Sequence, residues 1–265
     1  MDLQLRDRTA IVTAGSRGFG LATALRLADE GARVALCARG EEDLARAATQ
    51  VAERAGDPGR VYHRPLDLTD DAAVTGFLAG AEAALGPADL LLVNAGGPPA
   101  GRFGELGLDD WEAAYRLTIA SAVRLCRLVV PGMVERKFGR IVAITSVSVR
   151  QPVENLLLSS TLRPAVQGLV KTLAEEVAPA GVTVNAVEPG FHLTSAVERL
   201  IARKIETTGC TRQDVLDQWE AEIPLGRLGE ADELAALIVF LMSGPAGYIT
   251  GQGITADGGW VRGTF

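Results

Sequence analysis

Cysteine is scarce. The chain has three in 265 residues, Cys37, Cys126 and Cys210. They lie far apart, which argues against a disulfide framework or a zinc site and suits a reducing cytoplasm; no metal is expected. Basic residues form no block, and the net charge is −7. Nucleic acid and anionic membrane surfaces are therefore poor partners. No apolar run approaches the roughly 20 residues of a membrane span. The opening Met1-Asp2-Leu3-Gln4-Leu5-Arg6 lacks a secretory apolar stretch. Internal linkers, repeats and low-complexity segments are also missing.

What is present is apolar and regularly patterned. Hydrophobic residues make up 48% of the chain, enough for a large core; a chain of this length buries roughly 70–75% of its unfolded surface. Short apolar runs bounded by turn residues predict strands at Thr9–Ala14, Arg33–Cys37, Arg60–Pro65, Asp89–Asn94, Gly139–Ser146, Thr183–Val187 and Gly253–Ala256. Helical patterns lie between them at 18–30, 41–55, 70–84, 109–136, 160–178 and 230–243. Such alternation implies an α/β fold, a doubly wound sheet of about seven parallel strands with right-handed crossovers, in a single domain over 1–265. The stretch at about 191–228 interrupts the alternation. It is polar, with helical pieces at Ser195–Ile205 and Arg212–Ile223, and reads as a small substrate lid or as a plain surface excursion.

The chain is organised around Thr13-Ala14-Gly15-Ser16-Arg17-Gly18-Phe19-Gly20, which lies between a strand and a helix. A strand that turns sharply into a helix leaves free N–H groups that welcome an anion, and glycines let backbone approach a phosphate. A tight turn without a ligand is the bland alternative.

Ligands of doubly wound sheets bind at the carboxyl ends of the strands. After the second strand the chain offers Ala38 and Arg39, where free ribose hydroxyls would favour an acid. With Arg17, two guanidiniums could grip a 2′-phosphate, which favours NADP(H) over NAD(H); otherwise Arg39 is a solvated side chain. After the third strand, Asp67-Leu68 could meet an adenine amino group, or Asp67 could cap the next helix. Asn94-Ala95-Gly96, running on into Gly97-Pro98-Pro99, makes a rigid turn on which a ring or ribose could pack. Glu188-Pro189-Gly190 could face a nicotinamide.

Together, Thr13–Gly20, Asp67, Asn94-Ala95-Gly96, Ser146, Pro189-Gly190 with Thr194, and Ile249-Thr250-Gly251-Gln252 with Asp257-Gly258-Gly259 resemble the short-chain dehydrogenase/reductase family over essentially the whole chain. Ala14-Gly15 stands where that family usually has Gly-Ala, and the turn should survive the shift. The resemblance implies a Rossmann-like seven-stranded sheet, a nicotinamide cofactor, hydride transfer to or from a carbonyl, and a homotetramer or homodimer. The helices at 109–136 and 160–178 would be the contact faces, or would be buried within one subunit. It assigns Gly15, Ser16, Arg17, Gly18, Phe19, Arg39, Asp67, Leu68, Asn94, Ala95, Gly96, Arg163, Pro189, Gly190 and Thr194 to the cofactor.

The family's chemistry implies an Asn, a Ser, a Tyr and, four residues after the Tyr, a Lys. Ser146 matches. The tyrosine position holds Ser159, the lysine position Arg163, and the asparagine position, counted from Trp111, Thr118. Gly168-Leu169-Val170-Lys171-Thr172-Leu173-Ala174 anchors that alignment. A serine cannot serve as acid/base unaided, whereas an arginine stays charged and can hold ribose or an oxyanion. Pro164 predicts a helix that starts late or is distorted near 160–164, taking Ser159 and Arg163 off a shared regular turn. Candidates for the missing acid are His192, favoured by its pKa, and Glu154, Glu188 and Tyr115. Each has a structural alternative: Glu154 paired with Arg150 or Arg163, Glu188 bonded to backbone N–H groups, His192 touching the cofactor amide, Tyr115 packing. The catalytic set is then Ser146, Ser159, Arg163 and His192.

Three functions compete. The first is an NADP(H)-dependent carbonyl reductase or alcohol dehydrogenase, like a 3-oxoacyl reductase, with an atypical site and a place in specialised metabolism. The second is a non-redox cyclase, dehydratase or isomerase. The third is a silent NADP(H) sensor. The lid has one aromatic, Trp219, besides Phe191, which offers neither a sugar platform nor a nucleotide site.

Overall fold

The computed structural model describes residues 1–264. Its centre is a seven-stranded parallel sheet in the order β3-β2-β1-β4-β5-β6-β9. The strands are β1 (Thr9–Thr13), β2 (Arg33–Ala38), β3 (Val61–Pro65), β4 (Leu90–Val93), β5 (Gly139–Ile144), β6 (Val182–Pro189) and β9 (Gly253–Ala256). The order reverses direction at β1, with β2 on one side and β4 on the other, and opens a crevice above the strand ends there. Every residue of β1, β4, β5 and β6 is buried, because both faces of the sheet are covered by helices. The seven expected strands are all found, with ends moved by one or two residues.

On one face lie α3 (Asp71–Leu85), α5 (Ser121–Glu135) and α6 (Leu157–Val177), whose apolar sides share a core with Ile11, Leu91, Ile141 and Val184. On the other lie α1 (Gly18–Asp29), α2 (Glu41–Ala55) and α9 (Ala231–Leu241), packed on Val12, Leu36, Leu92 and Val142. The alternation of inward side chains along each strand feeds the two cores in turn.

Three expectations need correction. The helix at 109–136 is interrupted. It comprises α4 (Leu108–Tyr115) and α5, joined by a π-helical turn at Arg116–Ala120. Thr118 sits in that turn, buried and with no partner for its hydroxyl among the described residues. Contrary to the reading of apolar runs, Leu108–Glu135 is long and apolar enough to cross a membrane by length and composition. Leu125, Cys126, Val129 and Met133 pack into the sheet-face core, as in a core helix. Finally, α6 neither starts late nor breaks. It begins at Leu157 and runs through Pro164. Pro164 lies on the solvent side, where the unbonded carbonyl a turn earlier can take water. The roughly 3 kcal/mol cost of an interior proline is offset by burying Leu158, Val166, Val170, Ala174 and Val177.

Residues 191–228 depart from the sheet. They form β7 (His192–Leu193), paired with β8 (Gly229–Glu230), and the helices α7 (Ser195–Thr208) and α8 (Arg212–Glu222). These elements have their own small core of Val197, Ile201, Val215, Trp219 and Ile223. Phe191 stacks on Trp219 at 4.1 Å and leans on Trp260 at 4.7 Å between ring centroids, so the aromatics of this segment are spent on one another.

Candidate active site

Two cavities meet above the carboxyl ends of the strands. The first is a groove of about 430 Å³ over the β1–α1 turn, bounded by Ser16, Arg17, Gly18, Phe19, Arg39 and Asp67 and floored by Asn94, Ala95 and Gly96. The second is a pocket of about 500 Å³ between the end of β5, the 97–106 loop and α7. Phe19, Gly97, Thr145, Arg163, Pro189, Thr194, Ala196 and Arg199 line both, so the two are continuous.

The groove is backbone by construction. Gly18 adopts φ +56° and Ala14 φ +48°. The turn therefore survives the glycine shift, but with an alanine in the left-handed region. A Cβ on Gly20 would lie 2.3 Å from the Ala14 carbonyl oxygen, so the helix can start this close to the strand only with glycine there. Gly15 does not face the groove; a Cβ on it would meet Leu36 at 2.7 Å, and its place is one of packing. Gly96 and Gly97 have nothing within 4 Å where a side chain would begin, leaving bare peptide with room above it. The Thr13 hydroxyl, 2.7 Å from the Asn94 carbonyl oxygen, also accepts from the Asn94 N–H at 2.9 Å. It staples the ends of β1 and β4 on either side of the switch point. These are the features a dinucleotide requires, and the residues present fit one.

The charged groups around the groove divide differently from expectation. Arg17 is held by Asp43, which also binds Arg46. Arg39 is exposed and has no carboxylate partner among the described residues. Asp67 does not cap α3; Asp70 does, accepting from the Ala73 N–H. Asp67 instead accepts from the Thr69 N–H and hydroxyl, both at 2.8 Å, and the backbone bond holds its pKa below the usual value. The Leu68 side chain is in the core and only borders the groove.

In the pocket, Ser146 caps a short turn of helix, its Oγ accepting from the Ser148 N–H at 3.1 Å. That leaves its own proton for a ligand. Ser159 and Arg163 stand one turn apart on α6, as their spacing dictates on an unbroken helix. Arg163 Nε donates to Ser159 Oγ at 3.1 Å, and Nη1 donates to the Ile144 carbonyl at 2.9 Å. Ser148 Oγ lies 3.0 Å from Ser159 Oγ. The expectation that Pro164 would separate Ser159 from Arg163 is thus overturned. No carboxylate among the described residues balances Arg163, and burial pushes its pKa down to about 10.

His192 is buried. Its Nδ1 donates to the Gly190 carbonyl at 3.1 Å, and its ring meets Phe19 edge-on at 5.2 Å. Burial lowers its pKa below 6.5, so the ring is neutral at pH 7. The other acid candidates are occupied or remote. Glu154 pairs with Arg102 rather than with Arg150 or Arg163. Glu188, fully buried, is held by Arg150 at 2.7 Å and the Thr255 hydroxyl at 2.7 Å, not by backbone N–H groups as expected. Tyr115 is 44% exposed and borders neither cavity.

Sequence reasoning missed Ser148, Arg199, Arg203 and Trp260. For the arginines a signal existed: Ala196, Arg199, Leu200 and Arg203 recur at helical spacing and all line the pocket.

A crevice with a phosphate-sized turn, a bare-backbone floor and an adjoining pocket with hydroxyls and a cation defines an α/β oxidoreductase of the dinucleotide-binding class. A family model described as enoyl-(acyl carrier protein) reductase matches residues 13–261. Acetoacetyl-CoA reductase of Shinella zoogloeoides is 36% identical over 256 residues, covering 96% of this chain and 98% of that protein. L-sorbose reductase of Gluconobacter frateurii, solved with NADPH and L-sorbose, superposes with a TM-score of 0.93 at 31% identity, over 99% of this chain and 100% of that one. A short chain oxidoreductase of Pseudomonas aeruginosa, solved with NADPH and described as containing an atypical catalytic center, superposes at 0.87 with 34% identity, over 97% of this chain and 98% of that one. The chain belongs to the short-chain dehydrogenase/reductase family and is an enzyme of it.

Proposed function

We propose that the protein is an NADP(H)-dependent reductase of a small or medium carbonyl compound, working at a centre where Ser159 and Arg163 stand in place of the family's tyrosine and lysine. The observation that carries the reading is Arg163, a cation without a counter-ion among the described residues, on the wall common to both cavities. The NADPH bound by the relatives supports the cofactor, and the atypical center of the Pseudomonas protein supports the departure from the usual residues.

Gly18, the α1 N-terminus and Thr194 would hold the pyrophosphate, Arg39 the 2′-phosphate, and Asn94–Gly96 the adenosine-side ribose, with Pro189 and Gly190 against the nicotinamide. When bound, NADPH supplies the hydride. The Ser146 hydroxyl donates to the substrate oxygen and fixes its place. Arg163, whose Nη2 makes no bond to the described residues, stabilises the negative charge that grows there. Ser159 accepts a hydrogen bond from Arg163 and donates one to Ser148 or to the ligand, and the one proton that completes the alcohol comes from water. His192, neutral and bonded to Gly190, shapes the wall. The 191–228 segment acts as a lid over the pocket. Cys37 and Cys126, whose thiols burial raises to about 12, suit a cytoplasmic protein. The partly exposed Leu128 and Val134 on α5 suit pairing of copies into a homodimer or homotetramer, which sedimentation would test.

Loss of NADPH absorbance with a panel of ketones tests the reductase reading. The double replacement of Ser159→Tyr and Arg163→Lys tests the centre. On this reading it lowers turnover of the substrate found, because Ser159 is packed against Ser148. A rise would mean that Ser159 and Arg163 merely weaken the family's ordinary chemistry.

A further inference from the structure

We infer that the substrate carries a carboxylate, and that Arg199 on α7 receives it. This rests on the reductase reading above and names the class of carbonyl compound it serves.

Among the described residues the pocket is lined by three guanidiniums, Arg163, Arg199 and Arg203, and one carboxylate, Glu105. His192 adds no charge at pH 7, because burial lowers its pKa. The cavity thus has a surplus of two positive charges in a protein whose net charge is −7. A local excess against the overall balance is how a site selects an anion. The two surplus charges have different places. Arg163 is at the inner end, fixed to Ile144 and Ser159, where the reacting oxygen sits. Arg203 is shared between Glu105 at 3.8 Å and Glu206 at 3.5 Å. Arg199 has no acidic partner among the described residues, although it lies one turn from Arg203 on the same face of α7. The nearby Glu198 is taken by Arg212. One uncompensated guanidinium remains for the ligand, which matches a single negative charge. A planar carboxylate suits its forked donors. Arg199 stands on the wall that the pocket shares with the coenzyme groove, and the remaining walls are apolar, with Leu106, Val147, Leu156 and Leu200. An oxo acid with an aliphatic spacer fits that arrangement, and a neutral polyol does not.

The test compares 4-oxopentanoate and 5-oxohexanoate with their methyl esters, on the wild type and on R199Q. Two measurements are made: kcat/KM from NADPH loss, and calorimetric binding to the NADP⁺ complex, which needs no turnover. The acids are expected to exceed the esters by roughly tenfold or more in both, as for a charge-assisted hydrogen bond. In R199Q that ratio should fall toward one, and raised salt should shrink it in the wild type. Equal binding of acid and ester to the wild type overturns the inference, whether or not either is reduced. So does an R199Q variant that loses NADP⁺ affinity while keeping the acid preference, because Arg199 then serves the coenzyme. Acid-selective binding lost in R199Q, with no reduction of any probe, would keep the carboxylate site and overturn the reductase reading instead.

Discussion

Replacing Arg163 by methionine should separate activity from stability. The guanidinium is drawn out of water without a carboxylate partner, and burial pushes its pKa from 12.5 to about 10. That displacement corresponds to roughly 3 kcal/mol by which folding disfavours the charge. Methionine has similar length and no charge, so R163M recovers that amount. Against it stand the bonds to Ser159 Oγ at 3.1 Å and the Ile144 carbonyl at 2.9 Å. Together they are worth about 1–3 kcal/mol, and the Ile144 carbonyl, if left dry, costs about 1–3 kcal/mol more. The terms largely offset one another, and the unfolding free energy should fall by no more than about 3 kcal/mol. Catalysis should not be spared. Removing one donor to a developing oxyanion costs about 10²–10³-fold in kcat. Urea unfolding of the coenzyme-free protein and NADPH loss on the substrate found give the two numbers. A variant that keeps its kcat but loses about 5 kcal/mol or more, well beyond that bound, would make Arg163 a structural strut and refute the argument.

Arg39→Ala should raise the Kd for NADPH by roughly tenfold or more and leave that for NADH nearly unchanged, since only the former has a 2′-phosphate for the guanidinium to bind; Arg17→Ala should do less, because Asp43 already holds Arg17. Fluorescence titration with each coenzyme reads both. Ala14→Gly should be neutral to stabilising by about 1 kcal/mol: relieving φ +48° returns about 1–2 kcal/mol, and the freer unfolded chain takes back about 0.5–1. Thermal unfolding checks the sign. His192 has a lowered pKa in the folded protein, so below about pH 6.5 the unfolded chain binds the proton first and stability falls with pH. His192→Asn should flatten that part of the pH–stability curve, and an unchanged slope would assign it to other groups.

The sheet was legible because its strands are buried on both faces. Short apolar runs such as Leu90–Val93 and Val182–Pro189 can hardly be anything else between turn residues. The crevice was legible for the same reason, since the strand order and the glycine turn place it. Charge pairing was not. Whether Arg17 faces a ligand or Asp43, or Glu154 faces Arg150 or Arg102, depends on where helices and loops from distant parts of the chain are set. The interruption of α4–α5 at Thr118 carries no proline or glycine to announce it. Pro164 announced a break that packing overrode. The arginines of α7 were visible as a helical pattern, but their pocket is made by the 97–106 loop, whose position only the folded chain reveals.

Pro164 leaves α6 with one backbone bond fewer at the turn that bears the candidate chemistry. Were Ser159 and Arg163 positioned by that helix alone, the weakened turn would loosen both. Each is instead tied outside the helix: Arg163 to the last carbonyl of β5, Ser159 to Ser148 on the turn that follows it. That turn is itself fixed by Arg150, which reaches the buried Glu188 and the Gly253 carbonyl at 3.0 Å. Registration of the centre therefore comes from the sheet, whose strands β5, β6 and β9 are hydrogen-bonded in sequence. A site held in this way tolerates a change in the identity of its α6 side chains so long as the replacements reach the same sheet-borne partners. Glu188→Gln should then lower kcat through displacement of Arg150 and Ser146 while leaving the Kd for NADPH nearly unchanged, because the Thr13–Asn94 staple that shapes the coenzyme groove lies on other strands. Equal losses in both would show that the two cavities are positioned together rather than by separate parts of the sheet.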